Sequence, residues 1–269
     1  MIYHKIELKN ADSLRLHYPI SYRRKLSTPV QITVEDNEVH ILAHLEFSPK
    51  LLKRYVNREP KKGEEASKDL QLEAKGEDFT FADAVCEGIE RNWTGSFVFP
   101  WLKNGLNGRF KVVTKIVRKD KDEYEPGQRF AYVRFAPFFF NTSFVMSPFW
   151  RWIWGLFYCG SPESFTLNWS PSFPGSINMK RYKNLYRFEQ VSAHEFGHVL
   201  GIGDAYDAPY RFFYQLPDVT SYMMCFNRKV QDQEIDMVLR AHLTRRMQYF
   251  PYKFEPRVFF KGIADTFKR

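Results

Sequence analysis

The chain has 269 residues, of which 44% are hydrophobic and 17% aromatic, and a formal charge of +9 from 40 basic and 31 acidic side chains. This length and apolar content can bury a full core, which excludes a chain disordered throughout. The basic excess would suit a nucleic acid, but Lys and Arg are spread along the whole chain without a nucleic-acid motif, so no nucleic-acid partner is expected.

Residues 1–29 carry the basic cluster Arg23-Arg24-Lys25 and read as an N-terminal arm. They contain no apolar h-region and no cleavage site, so no secretory signal peptide is read there. Three cysteines, Cys86, Cys159 and Cys225, do not make a disulfide framework. Both observations favour a reducing compartment, cytoplasmic by default, with export by a non-classical route as the alternative. Residues 30–47 alternate well enough for one or two strands, with Asp36-Asn37 as a turn. Residues 48–78 are dense in Lys and Glu, with Pro60 and Gly63, and read as a solvated loop or frayed helix.

Phe81, Val85, Ile89 and Trp93 fall four apart and predict a helix over 79–93. Strands are expected at 97–99, 110–117 and 130–135, with Asn104-Gly105 and Asn107-Gly108 in the first connection. The run from Phe149 to Tyr158 is mostly aromatic and too short to span a bilayer, and Arg151 interrupts it, so no transmembrane segment is read. It reads as a packed insertion, an apolar wall contacting substrate, or an interfacial anchor.

From Arg187 to Ile202 the residues Phe188, Val191, Val199 and Ile202 fall within about 80° of arc, as on an amphipathic helix. His194 and His198 lie beside that stripe, with Glu195 inside it. The stretch reads His194-Glu195-x-x-His198-x-x-Gly201-x-x-Asp204. Two histidines four apart lie one helical turn apart, so both imidazoles can reach one metal. Glu195, beside the first, can serve as general base for a metal-activated water. Gly201 lets the chain turn out of the helix, and Asp204 arrives where a third ligand is needed. Asp207 is a second candidate for that ligand.

This motif resembles the signature of the metzincin zinc metalloproteases, H-E-x-x-H-x-x-G-x-x-H followed by a Met-turn. Asp204 departs from the usual last histidine, and snapalysin-like secreted bacterial proteases also use Asp there. The resemblance covers roughly residues 175–240. It implies an α/β (α+β) zincin fold: a twisted mixed sheet with an antiparallel edge strand, an active-site helix and a C-terminal helix. Ser176, Ile177, Asn178 and Met179 occupy the place of that edge strand, which borders the cleft and can pair with an extended peptide. A plain loop into the helix is the alternative there. Ser221-Tyr222-Met223-Met224-Cys225 falls where the Met-turn belongs, with Met224, or Met223, as the apolar floor beneath the ligands. A C-terminal helix is expected over 231–247, with Ile235, Val238, Leu239, Leu243 and Met247 on its inner face.

The resulting expectation is a single metalloprotease catalytic domain over residues 30–250, followed by an aromatic, basic C-terminal tail at 251–269. It would be a zinc endopeptidase acting on a peptide or protein substrate. His194, His198 and Asp204 would bind one Zn²⁺ per chain, and Glu195 would be the base. Tyr206, Tyr210 and Tyr222 are each able to hydrogen-bond the oxyanion. The rivals are a zinc hydrolase of non-peptide amides and a basic binding protein with a structural zinc, whose fourth ligand would be Cys225 or His242. Oligomeric state is not legible in the sequence.

Overall fold

Alternating apolar residues write the first hairpin. β1 (Val30–Glu35) runs antiparallel to β2 (Glu38–Phe47), with Val30 opposite Ala43 and Glu35 opposite Glu38. Val30, Ile32, Val34, Val39, Ile41, Ala43 and Leu45 are all buried, so this register puts one continuous apolar surface on one side. The computed structural model describes residues 27–35, 38–59, 69–98, 109–137, 142–148, 150–151, 167–205 and 221–250. The N-terminal arm through residue 26, the Asp36-Asn37 turn and the C-terminal tail lie outside the described residues. So do Cys159, Trp152, Trp154, Tyr206, Asp207 and Tyr210.

The segment after β2 is not simply solvated. Leu51 and Tyr55 are buried, and the Tyr55 ring packs on Phe79, Phe81 and Phe188. Among the described residues of the charged stretch, a short helix forms, α1 (Leu70–Glu73). The Asp69 side chain caps α1 and also accepts the Leu185 N–H at 2.6 Å, tying this stretch to the start of the motif helix.

α2 (Phe81–Trp93) starts at a capping box, in which Thr80 and Asp83 satisfy each other's backbone N–H. Its stripe of Phe81, Val85, Ile89 and Trp93 is buried as the spacing predicts. β3 (Gly95–Val98) then pairs antiparallel with β4 (Arg109–Arg118). β5 (Ala131–Phe135), β6 (Phe144–Met146) and β7 (Ser176–Met179) complete a seven-stranded mixed sheet. β4 lies parallel to β2 on one side, while β1 and, further along, β5 share the other side of β2. β5 is parallel to β7, and β6 is antiparallel to β7.

That order corrects the expected edge. Ser176–Met179 is a strand and not a loop, but both its sides are taken: Val133 and Val145 each sit opposite Ile177. At this end of the sheet, among the described residues, the antiparallel edge strand is β6. β6 carries no clean strand signal in the sequence, because three residues of strand are too few to show a period.

α3 (Leu185–Leu200) packs against α2, β6 and β7. α4 (Met223–Phe226) and α5 (Asp232–Thr244) lie against α3. Ile235, Val238 and Leu239 face inward on α5, whereas Leu243 is exposed, since the buried side runs through Glu234, Met237, Ala241 and His242 instead. Arg245 in the left-handed region ends that helix, earlier than expected. Of the aromatic run, Trp150 and Arg151 are described. Trp150 meets Phe173 edge-on, and Arg151 donates to the Asn168 carbonyl at 2.9 and 3.1 Å. Among the described residues no helix is long and apolar enough to cross a membrane.

Candidate metal centre

Helix α3 is buried along nearly its whole length, so its position is set from several sides. Asn184 caps its start by accepting the Arg187 N–H at 2.8 Å. Trp93 of α2 donates its indole N–H to the Ala193 carbonyl at 2.8 Å, and Trp169 donates to the Val199 carbonyl at 2.9 Å. These two tryptophans clamp the turns that carry the histidines. Sequence periodicity marks Trp93 as core but does not reveal either indole bond.

The helix ends at Gly201 with φ at 95°, a left-handed conformation that glycine adopts without steric cost. The chain beyond is stitched down at once. Gly203 N–H donates to the Gln248 carbonyl at 2.8 Å, Gln248 N–H to the Gly201 carbonyl at 2.9 Å, and Ala205 N–H to the Met224 carbonyl at 2.8 Å. Asp204 sits between two anchored residues and has little room to wander.

Its carboxylate meets both histidines. His194 Nε2 lies 3.0 Å and His198 Nε2 3.4 Å from Asp204 Oδ1. One ligand atom from each of the three residues lies within 4.8 Å of the others. Each imidazole is oriented from behind by a carbonyl oxygen, which can only accept. His194 Nδ1–H donates to Met223 at 2.8 Å, and His198 Nδ1–H to Ile202 at 2.9 Å. Both Nε2 atoms are thereby turned to the common point, the usual arrangement around metal-ligating histidines.

Burial sets the electrostatics. For Asp204 burial would raise the carboxyl pKa, but the two imidazoles win and hold it well below the usual carboxylate range. For His194 burial would lower the pKa, and the Asp204 carboxylate outweighs it and raises it. Burial pushes Glu195 up to about 7, with the imidazoles opposing and Asp204 adding. Glu195 Oε2 is a buried oxygen with no hydrogen-bond partner, a costly state for a carboxylate in a protein interior. The His194–His198–Asp204 group could hold a metal ion, and two imidazoles with one carboxylate are a donor set that suits a divalent transition metal.

The other expected residues divide. Of the two methionines, Met224 packs its thioether against α3: a Cβ added at Gly197, just before His198, would overlap the Met224 sulfur. Met223 contributes its carbonyl to His194 instead. Among the described residues, the metal-capable group contains neither Cys225 nor His242. Burial lowers His242 to about 3 against the pull of a Leu200 backbone hydrogen bond, and its ring meets Trp169 at 5.4 Å. The Tyr222 hydroxyl donates to Gln233 on α5 at 2.9 Å. Asp207, Tyr206 and Tyr210 lie outside the described residues.

Glu234 was not among the expected site residues. It is fully buried on α5 and accepts the N–H groups of Gln231, Met223 and Met224 at 2.7, 3.3 and 2.7 Å. Burial pushes its carboxyl up to about 7 against those donors. The sequence signal was the spacing Gln231-x-x-Glu234, a capping box at the start of α5. Nothing local shows that the same carboxylate also holds the Met223 and Met224 N–H groups. No protein-family model, curated protein or solved structure matches this chain.

Proposed function

We propose that this protein is a metzincin-like zinc endopeptidase in which His194, His198 and Asp204 hold the metal and Glu195 is the general base. The observation that carries the reading is the Glu195 carboxylate, buried with an unpartnered oxygen beside three converging ligand atoms. Zinc there supplies Lewis acidity: it lowers the pKa of water to roughly 7 and polarises a carbonyl. Glu195 takes a proton from the attacking water and returns it to the leaving nitrogen. Burial of His194 and Glu195 keeps bulk solvent from competing for these groups.

Three further features agree with the resemblance that the motif carries. A mixed sheet ends in an antiparallel edge strand, the Met224 thioether underlies α3, and α5 follows the turn. Because β7 is paired on both sides, the role of pairing an extended peptide passes from Ser176–Met179 to β6, which among the described residues pairs only with β7.

Two measurements test the proposal. Metal analysis of protein purified without chelators should give about one zinc per chain. Glu195→Gln should keep that zinc and lose at least about 10²-fold in hydrolysis of a mixed peptide library, the minimum for a missing general base. Near-native hydrolysis by this variant would refute the assigned mechanism.

A further inference from the structure

The Met-turn does more than place a sulfur beneath the helix. The carbonyl that accepts His194 Nδ1–H belongs to the Met223–Met224 peptide unit, and so does the Met224 N–H that donates to Glu234 Oε1 at 2.7 Å. One planar peptide therefore stands between a buried carboxylate and an imidazole. The carboxylate draws on the N–H at one end, which adds negative charge to the carbonyl oxygen at the other. We infer that Glu234 is a positioning residue for the metal site, acting on His194 through the Met223–Met224 peptide as an indirect carboxylate–histidine pair. The inference rests on the proposed metal site.

The physical argument is one of cost and coupling. Burying a carboxylate is costly, and three backbone N–H groups converge on this one to offset part of that cost. A backbone carbonyl is an ordinary partner for a metal-ligating imidazole. Backed by a charged acceptor, the same carbonyl becomes a stronger one, since hydrogen bonds in a chain polarise each other. A stronger pull on Nδ1–H makes Nε2 more basic towards a metal. It also locks the tautomer in which Nε2 is free.

His198 is the internal control. Its Nδ1–H donates to the Ile202 carbonyl at 2.9 Å, nearly the length of the His194 bond. The N–H of that next peptide, Gly203, goes to the neutral carbonyl of Gln248 at 2.8 Å. The two histidines thus differ in what stands behind the peptide and not in how closely it is approached.

The test uses the zinc-loaded full chain at pH 8, labelled with ¹⁵N-histidine. The two Nδ1–H signals are assigned through their contacts to Met223 and Ile202. In the wild-type protein the His194 proton is expected downfield of the His198 proton. In Glu234→Gln the gap narrows, and the zinc dissociation constant, measured by competition with a chelator, rises about 10- to 100-fold. Asp232→Asn lies in the same helical turn but bonds the far strand at Val98, and it should change neither quantity. Coincident His194 and His198 signals in the wild type overturn the relay, and that comparison decides the matter even if Glu234→Gln does not fold. A folded Glu234→Gln with wild-type zinc affinity overturns it too. A wild-type protein that takes up no zinc overturns the metal site itself, an outcome distinct from zinc bound with equal signals.

Discussion

Gly201→Ala should damage the fold and the metal site together, and the structure supplies the size of the effect. At φ 95° an alanine is held in the left-handed region, which costs roughly 1–2 kcal/mol. The new Cβ would also lie 2.5–2.9 Å from three ring atoms of Trp169. That ring cannot easily retreat. It is 6% exposed, its N–H donates to the Val199 carbonyl, and it also packs against the His242 ring. Overpacking of this kind costs about 1–3 kcal/mol, so the two effects together come to about 2–5 kcal/mol. The assay is urea unfolding of the chelator-treated protein, beside Gly76→Ala, where an added methyl meets nothing within 4 Å. Gly76→Ala should stay within about 0.5 kcal/mol of wild type. Because Gly201 aims the three residues that lead to Asp204, zinc affinity should fall as well. A Gly201→Ala protein as stable as Gly76→Ala, with unchanged zinc affinity, would refute the reasoning.

Asp204→Ala should weaken zinc binding far more than Asp207→Ala in a competition titration; an equal or larger loss at Asp207 would reassign the third ligand. His242, lowered to about 3 by burial, stays neutral in the folded chain while the unfolded chain takes up a proton below its ordinary 6.5. Its contribution is therefore complete above pH 6.5 and is lost as pH falls towards 3, by up to about 1.4 kcal/mol per pH unit. His242→Phe should flatten that slope relative to wild type, and identical slopes would show that His242 titrates freely. Trp93→Phe removes the indole donor from the buried Ala193 carbonyl and should cost about 1–3 kcal/mol in chemical denaturation. No measurable loss would mean that this clamp does not support α3.

The part of the site that lies within one helix was legible in the sequence. His194, Glu195 and His198 stand at fixed angles on 3.6-residue geometry, and Gly201 announced the turn that brings Asp204 back. The stripe of α2 and the alternation of β1 and β2 were legible for the same reason: side-chain direction follows the local period, whatever the rest of the chain does. Other features waited for the tertiary structure. Ser176–Met179 could be seen as a short strand, but whether it sits at an edge depends on β6, some thirty residues upstream, pairing beside it. Met223 and Met224 are adjacent and chemically alike, and only the packing of α4 against α3 sets the Met224 sulfur against Gly197 and leaves Met223 to offer its carbonyl to His194. Glu234 read as an acid in the first turn of a helix. Its second position, on the peptide behind His194, exists only because the start of α5 lies against the Met223–Met224 backbone. Spacing along one element is decided by bond geometry within a few residues. Strand order, and the choice between neighbouring side chains, are decided by contacts between segments far apart in the chain, which a local pattern does not encode.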